Sequence, residues 1–243
     1  MSFKKDKMLI IPAVDIKGGK CVQLVQGKVG SEQVVIDNPE EVAKEWEDLG
    51  SETLHIIDLD GAIHNKSNLS AIKKIINETS IPIQLGGGIR SIEYAKTLLD
   101  LDIKRLIIGT MGIENPNTID ELSNEYGSDR IMISLDSKDS KVVIKGWTQK
   151  IDKSPKELSM EFKNHGAGSI LFTNVDVEGL LNGFYVKPVL DLVDSIDIPI
   201  VYSGGISSID DIKKLKECNV CGVVIGSALY KNKINLKEAL KYQ

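Results

Sequence analysis

Asp15 and Asp136 close apolar runs that begin at residues 9 and 130, LIIPAVD and RIMISLD. Two carboxyl groups converging on one small pocket suit acid–base chemistry: one takes a proton from carbon while the other donates to oxygen or nitrogen. The donor must hold its proton near neutral pH, which burial or repulsion from a second carboxylate supplies. The alternative is that each aspartate only caps a neighbouring loop. Thr173 closes a third run, SILFT, and its hydroxyl would reach the same end of the fold, unless it is an ordinary strand-end threonine.

Glycine-rich turns are the second feature. Gly86-Gly87-Gly88-Ile-Arg90-Ser91 and Ser203-Gly204-Gly205-Ile-Ser207-Ser208 each lie between an apolar run and an amphipathic stretch. Glycine lets the backbone approach an anion, and a following helix start directs N–H groups at it. Tight turns requiring positive φ are the plainer reading of a single such motif. Here it occurs twice, with Gly109-Thr110 and Gly226-Ser227 one unit later in each case. Two phosphate-binding loops on opposite sides of one mouth imply a substrate with a phosphate at each end. Trp147, in Gly146-Trp147-Thr148, is either a packed aromatic or a stacking platform for a planar group. His55 reads as a core histidine. Asp58 and Asp60 would contact substrate hydroxyls or cap Gly61-Ala62.

The elements that must position these residues are legible as alternation. Apolar runs at 9–15, 53–59, 81–85, 105–109, 130–136, 169–173, 198–202 and 221–226 are continuous and rich in Ile, Val and Leu, as strands buried on both faces are. Helical stretches at 39–49, 68–79, 91–101, 116–126, 154–165, 185–195, 207–218 and 235–242 separate them. Asn38 with Pro39 reads as an N-cap and first helical residue. Strict alternation means an α/β fold. An internal repeat selects the closed form: IPIQLGGGIRSIE from Ile81 aligns on IPIVYSGGISSID from Ile198 with eight of thirteen residues identical. The chain therefore reads as a (β/α)8 TIM barrel of two similar half-barrels, one domain over residues 1–243 with a polar tail at 1–7. Segments 16–38 and 137–153 exceed the usual βα loop and are expected to be lids, with Gly18, Gly19, Gly27 and Gly30 as hinges.

The 243 residues are 42% hydrophobic and 27% charged with a net charge of -5, an ordinary globular balance that gives no support for nucleic-acid or membrane binding. A cytoplasmic location and a monomer are expected. Cys218-Asn-Val-Cys221 has CxxC spacing, but His55, His64 and His165 offer no matching ligands, so these are read as thiols and no metal is expected.

Together, the stretch from Ile11 through Asp15 to Gly27, Asp58-Leu-Asp-Gly-Ala62, Gly86–Ser91, Ile133-Ser-Leu-Asp136, Gly146-Trp147 and Ser203–Ser208 resemble the ProFAR isomerase family of histidine biosynthesis. The resemblance spans nearly the whole chain. It implies a small-molecule bisphosphate substrate carrying two ribose phosphates and an Amadori rearrangement of an aminoaldose to an aminoketose, without metal or organic cofactor. It further implies that Asp15 is the general base, Asp136 the general acid, Thr173 the assisting hydroxyl and Trp147 the lid aromatic. Gly87, Gly88, Arg90, Gly109, Thr110, Glu178, Gly179, Gly204, Gly205, Gly226 and Ser227 fall at binding positions. Two positions depart from the family pattern: Gln23 stands where arginine is common, and Glu178-Gly-Leu180 where Asp-Gly-Thr is common. A cyclase-type barrel of the same pathway, an isomerase that also accepts phosphoribosyl anthranilate, and a non-catalytic phosphate-binding barrel are the alternatives.

Overall fold

The computed structural model describes residues 7–28 and 30–243; most of the expected polar tail, residues 1–6, lies outside the described residues. Eight strands pair in parallel in chain order: Leu9–Lys17, Leu54–Asp58, Ile83–Gly86, Arg105–Ile108, Ile131–Lys138, Ser169–Asn174, Ile200–Ser203 and Gly222–Ile225. The eighth pairs with the first, Leu9 opposite Gly222, and closes the barrel. Alternation along the strands produces two cores. Leu9, Ile11, Ala13, Ile107, Met132, Leu171, Val201 and Val224 fill the barrel interior. Outward-facing Ile10, Val14, Ile56, Leu106, Ile133 and Phe172 pack with helical residues such as Val42, Ile72, Leu98, Leu122, Phe162 and Ile212. Both strand faces are therefore apolar, which is why the runs are continuous.

The first and fifth strands do not stop at the aspartates. They run on to Lys17 and Lys138 and turn back as antiparallel ribbons, Lys20–Gln23 with Val34–Ile36 and Lys141–Ile144 with Gln149–Lys150. The segments 16–38 and 137–153, expected as lids, are thus built as ribbons and not as open loops. Gly18 and Gly19, at φ 57° and 74°, are the two central residues of a tight hairpin turn, not a hinge; Asp139 and Ser140, at φ 48° and 61°, make the matching turn of the second ribbon. Hairpins of two-residue turns need positive φ at both positions so that the turn follows the twist of the strands.

The long helices lie within a few residues of their expected bounds. Ser91, Ser154 and Ser208 accept hydrogen bonds from the third helical N–H, as N-caps should. Asn38 does not: it is left-handed, at φ 58°, and its amide donates to Glu41 instead. Three short helices directly after strands two, four and eight (Leu59–His64, Thr110–Glu114 and Ser227–Tyr230) were not expected, being too short to carry a 3.6-residue period.

The repeat persists in the backbone. Gly87 and Gly204 adopt φ 102° and 105°, Gly88 and Gly205 φ 71° and 76°. Gly109 and Gly226 share φ −105°, with ψ −108° and −103°. The paired glycines are also hemmed in by neighbouring loops: a Cβ on Gly88 would sit 2.5 Å from the Gly61 backbone, and one on Gly205 2.3 Å from the Gly183 carbonyl. A Cβ on Gly18 would meet nothing within 4 Å. Gly18→Ala should therefore cost only the left-handed conformation, about 1 kcal/mol. Gly205→Ala adds a backbone clash and should cost at least about 2 kcal/mol more. Urea unfolding measures both, and equal losses would mean that close packing is not what requires glycine at 205.

Candidate active site

The polar ends of the barrel strands, the two ribbons and the loops after strands two, three, four, six, seven and eight enclose a cavity of about 880 Å³. This is the end of the barrel at which the fold places its chemistry. All fifteen residues expected to act line it: Asp15, Asp136, Thr173, Trp147, Arg90, Thr110, Glu178, Ser227 and the glycines 87, 88, 109, 179, 204, 205 and 226.

Asp136 stands where the fifth strand is paired on both sides, with Thr173 in register across strand six and Val143 across its own ribbon. Three donors converge on its carboxylate. The Trp147 indole N–H reaches Oδ2 at 2.8 Å, the Ser134 hydroxyl reaches Oδ1 at 2.9 Å, and the Thr173 hydroxyl is the third. Burial pushes its pKa above the usual carboxylate range, and the three donors pull it back part of the way. Thr173 thus meets the aspartate itself. Trp147 is both a hydrogen-bond donor and a cover: at φ 67° its ring lies so close to Gly27 of the first ribbon that a Cβ there would be 2.8 Å from it. The two ribbons meet through this ring, and Gly27 is required for the contact.

Asp15 occupies the corresponding junction in the other half, opposite Ile57 of strand two and Val22 of its ribbon. Its surroundings are poorer in donors. Gln23 Nε2 lies 3.4 Å from Oδ2. Burial pushes the Asp15 pKa up to about 7, so this carboxylate is basic enough to accept a proton from an activated carbon and is partly ionised at neutral pH.

Glu178 adds a third carboxyl group. It accepts the backbone N–H groups of Gln26 and Gly27, which ties the sixth loop to the first ribbon, while Oε2 is buried without a partner among the described residues. Burial first, then the charge of Asp15, raises its pKa to about 7. The longer glutamate side chain at this departure from the family pattern therefore reaches the cavity.

On the binding side, Thr110 accepts from the Lys145 N–H of the second ribbon at 3.0 Å. Ser227 donates to Gln23 Oε1 at 3.1 Å. Arg90 is exposed and bonds the carbonyls of Gly61 and Ala62 and the Asn65 side chain, bracing the second loop beside the glycine turn. The close approaches at Gly87, Gly88, Gly204 and Gly205 require glycine on packing grounds alone, so the motif carries less information about anions than its repetition suggests.

Asp58 caps Gly61 and holds Asn68 by both its main chain and side chain, and Asp60 accepts from Gly18 and Asn68; both brace loops. His55 is buried, paired with Gln84 at 2.9 Å, and burial lowers its pKa to about 4, so it is neutral at pH 7. Cys218 and Cys221 are free thiols, and Cys221 Sγ contacts the Ile200 carbonyl. Ser134 joins the expected residues in the site, and Gln23, one of the two departures from the family pattern, stands there beside Asp15. Ser134 was findable, since it precedes Asp136 by two residues on the same face of a strand. The contact of Gln23 with Asp15 depends on the ribbon register.

Residues 9–235 match the family described as histidine biosynthesis protein. A protein of Methanothermobacter thermautotrophicus is 60% identical over 236 residues, 97% of this chain and 99% of its own length. One from Methanosphaera stadtmanae is 61% identical over 97% of this chain and 100% of its own. One from Methanocaldococcus jannaschii is 53% identical over 96% and 98% respectively. All three are named 1-(5-phosphoribosyl)-5-((5-phosphoribosylamino)methylideneamino)imidazole-4-carboxamide isomerase. With matches of this extent lying across every loop that lines the cavity, the chain belongs to the histidine biosynthesis protein family.

Proposed function

We propose that this chain is an aldose–ketose isomerase acting on the imidazole carboxamide that carries two phosphoribosyl groups. The observation that carries the reading is the placement of two buried carboxyl groups, Asp15 and Asp136, at equivalent junctions of the two half-barrels, between two matching glycine loops. The phosphates at the substrate's two ends would occupy the loops holding Gly87, Gly88, Gly109 and Thr110 on one side and Gly204, Gly205, Gly226 and Ser227 on the other. The reacting ribosylamine then lies between Asp15 and Asp136 under Trp147.

The chemistry needs only proton transfers. An acid protonates the ribose ring oxygen, the bond from that oxygen to C1′ breaks, and a protonated imine forms. Asp15 removes the proton from C2′, and its electron pair becomes the C1′–C2′ double bond as the imine nitrogen is neutralised. The resulting enolamine takes a proton at C1′ while its 2′-hydroxyl gives one up, so that C2′ becomes the carbonyl of the aminoketose. No net oxidant or cofactor enters this balance. Asp136, steadied by Thr173, is the first candidate for the acid. A second candidate is favoured by a specific observation: Glu178 Oε2 has no partner among the described residues, whereas donors crowd Asp136 and favour its charged form. In this reading the chain works alone, in the cytoplasm, on a small molecule.

Turnover by the purified protein of the doubly phosphoribosylated substrate, followed spectrophotometrically without added metal or partner, is the direct test. Conversion is expected. Binding without conversion would return the cyclase-type or non-catalytic readings. Phosphoribosyl anthranilate, offered in parallel, decides the dual-substrate alternative.

Asp15→Asn should lower kcat at least about a hundredfold while KM stays within about tenfold, because the base acts in the transition state. Asp136→Asn and Glu178→Gln identify the acid. The variant that loses the alkaline limb of the kcat profile, along with at least about a hundredfold in rate, marks the donor. A variant of either residue with wild-type kcat excludes that residue.

The same carboxyl groups tax stability. Asp15 holds its proton up to about pH 7 in the folded protein, against an ordinary value of 3.8. Stability contributed by the protonated group is therefore full below the ordinary value and lost as pH rises through 7. At pH 8, Asp15→Asn should be more stable than the unmodified protein by at least about 1 kcal/mol, with the gain vanishing near pH 4. Urea unfolding at the two pH values checks this, and a loss of stability at pH 8 would contradict the burial argument.

A further inference from the structure

We propose that Gln23 is a positioning residue that joins the base Asp15 to the loop after the eighth strand, so that the base and the phosphate end of the substrate share one register. The inference rests on the isomerase reading and concerns a residue that touches the base and the loop at once.

Gln23 ends the first ribbon strand and is 3% exposed. Its amide has three contacts. Nε2 donates to the Val22 carbonyl at 3.0 Å and lies 3.4 Å from Asp15 Oδ2, and Oε1 accepts the Ser227 hydroxyl at 3.1 Å. An ionised carboxylate only accepts, so the nitrogen must face Asp15 and the oxygen must face Ser227. The amide therefore has one satisfying orientation, and the link between base and loop is directional. Gly226 makes room for it: a Cβ at 226 would stand 2.6 Å from Gln23 Oε1. At the matching Gly109 the nearest atom is the Ser134 Cβ, 3.9 Å away.

The other half of the barrel lacks the device. Val22 opposes Asp15 as Val143 opposes Asp136, so the ribbon position equivalent to Gln23 is Ile144, whose side chain cannot hydrogen-bond. There the aspartate is set by Trp147, Ser134 and Thr173 instead. The amide thus belongs to the half that holds the base. Being neutral, it orients Asp15 without adding a cation that would draw the proton affinity of the base down. The other titratable groups around Asp15 are Cys21 on the ribbon, Tyr230 from the helix after strand eight and Glu178 from the sixth loop, with His55 on the adjoining strand and Asp136 in the other half. Gln23 is the hydrogen-bond donor to Asp15 in this group.

Gln23→Met keeps the shape and removes the polar link. It should lower kcat about tenfold, leave KM within about threefold, and shift the acid limb of the kcat/KM profile to higher pH, since Asp15 loses a donor to its charged form. Gln23→Glu keeps an acceptor for Ser227 but sets a second negative charge beside Asp15, and should move that limb further up. Wild-type kcat with an unmoved acid limb in the methionine variant overturns the proposal. If that variant does not fold, judged by circular dichroism and thermal unfolding, an unmoved limb in the glutamate variant overturns it. The unmodified protein is assayed alongside. Its failure to turn over removes the isomerase reading itself, whereas its turnover beside unchanged variants removes only the role of Gln23.

Discussion

Dehydration of three carboxyl groups is the constraint on which the active end of this barrel turns. A carboxylate in water holds its charge cheaply and is a weak base. Enclosed under two ribbons and an indole ring, Asp15 and Glu178 rise to about 7 and Asp136 rises with them. Each enclosing part is bound to one of the groups it dehydrates. Trp147 bonds Asp136 and lies against Gly27, and Glu178 holds Gln26 and Gly27. Closure of the cavity and tuning of the acids are therefore one structural fact. Neither could be altered without the other.

The barrel supports this by making its catalytic end polar and leaving its inside apolar below. Ile11, Ala13, Met132, Leu171 and Val201 fill the interior, and the next inward positions on strands one, five and six are Asp15, Ser134 with Asp136, and Thr173. The period of two along each strand carries the side chains from packing to chemistry over a few residues.

Much of this was legible in the sequence because strands buried on both faces advertise themselves, and because the second half repeats the first. Asp15, Asp136, Thr173 and the paired glycines follow from run endings and offsets. The ribbons were not legible. Gly18-Gly19 invites both flexibility and a tight turn, and only the pairing of Lys20–Gln23 back onto strand one decides for the turn. Asp139-Ser140 makes the same turn without glycine, so composition gave no warning. The glycine motifs carry two meanings at once: an anion loop calls for glycine, and so does the neighbouring backbone at Asp58, Gly61, Asn174 and Gly183, which leaves no room for a side chain.

Two-fold repetition leaves a problem that the structure answers with asymmetry. Equal halves would give two aspartates in equal surroundings, with equal proton affinities and no reason for one to accept while another donates. Here the surroundings differ at matched positions. Ile144 stands where the other ribbon has Gln23, and the second half supplies an indole, a serine and a threonine to its aspartate. The first half supplies a single amide at longer distance. The third carboxyl group, on the sixth loop, stands near both aspartates, and the charge of Asp15 raises its pKa more than that of Asp136 does. A carboxylate with few donors and a negative neighbour is the better base, and one crowded with donors is the better-fixed partner. In the proposed reaction, division of labour between the two aspartates thus comes from what the ribbons bring to them, and the barrel strands contribute only the common place at which they stand.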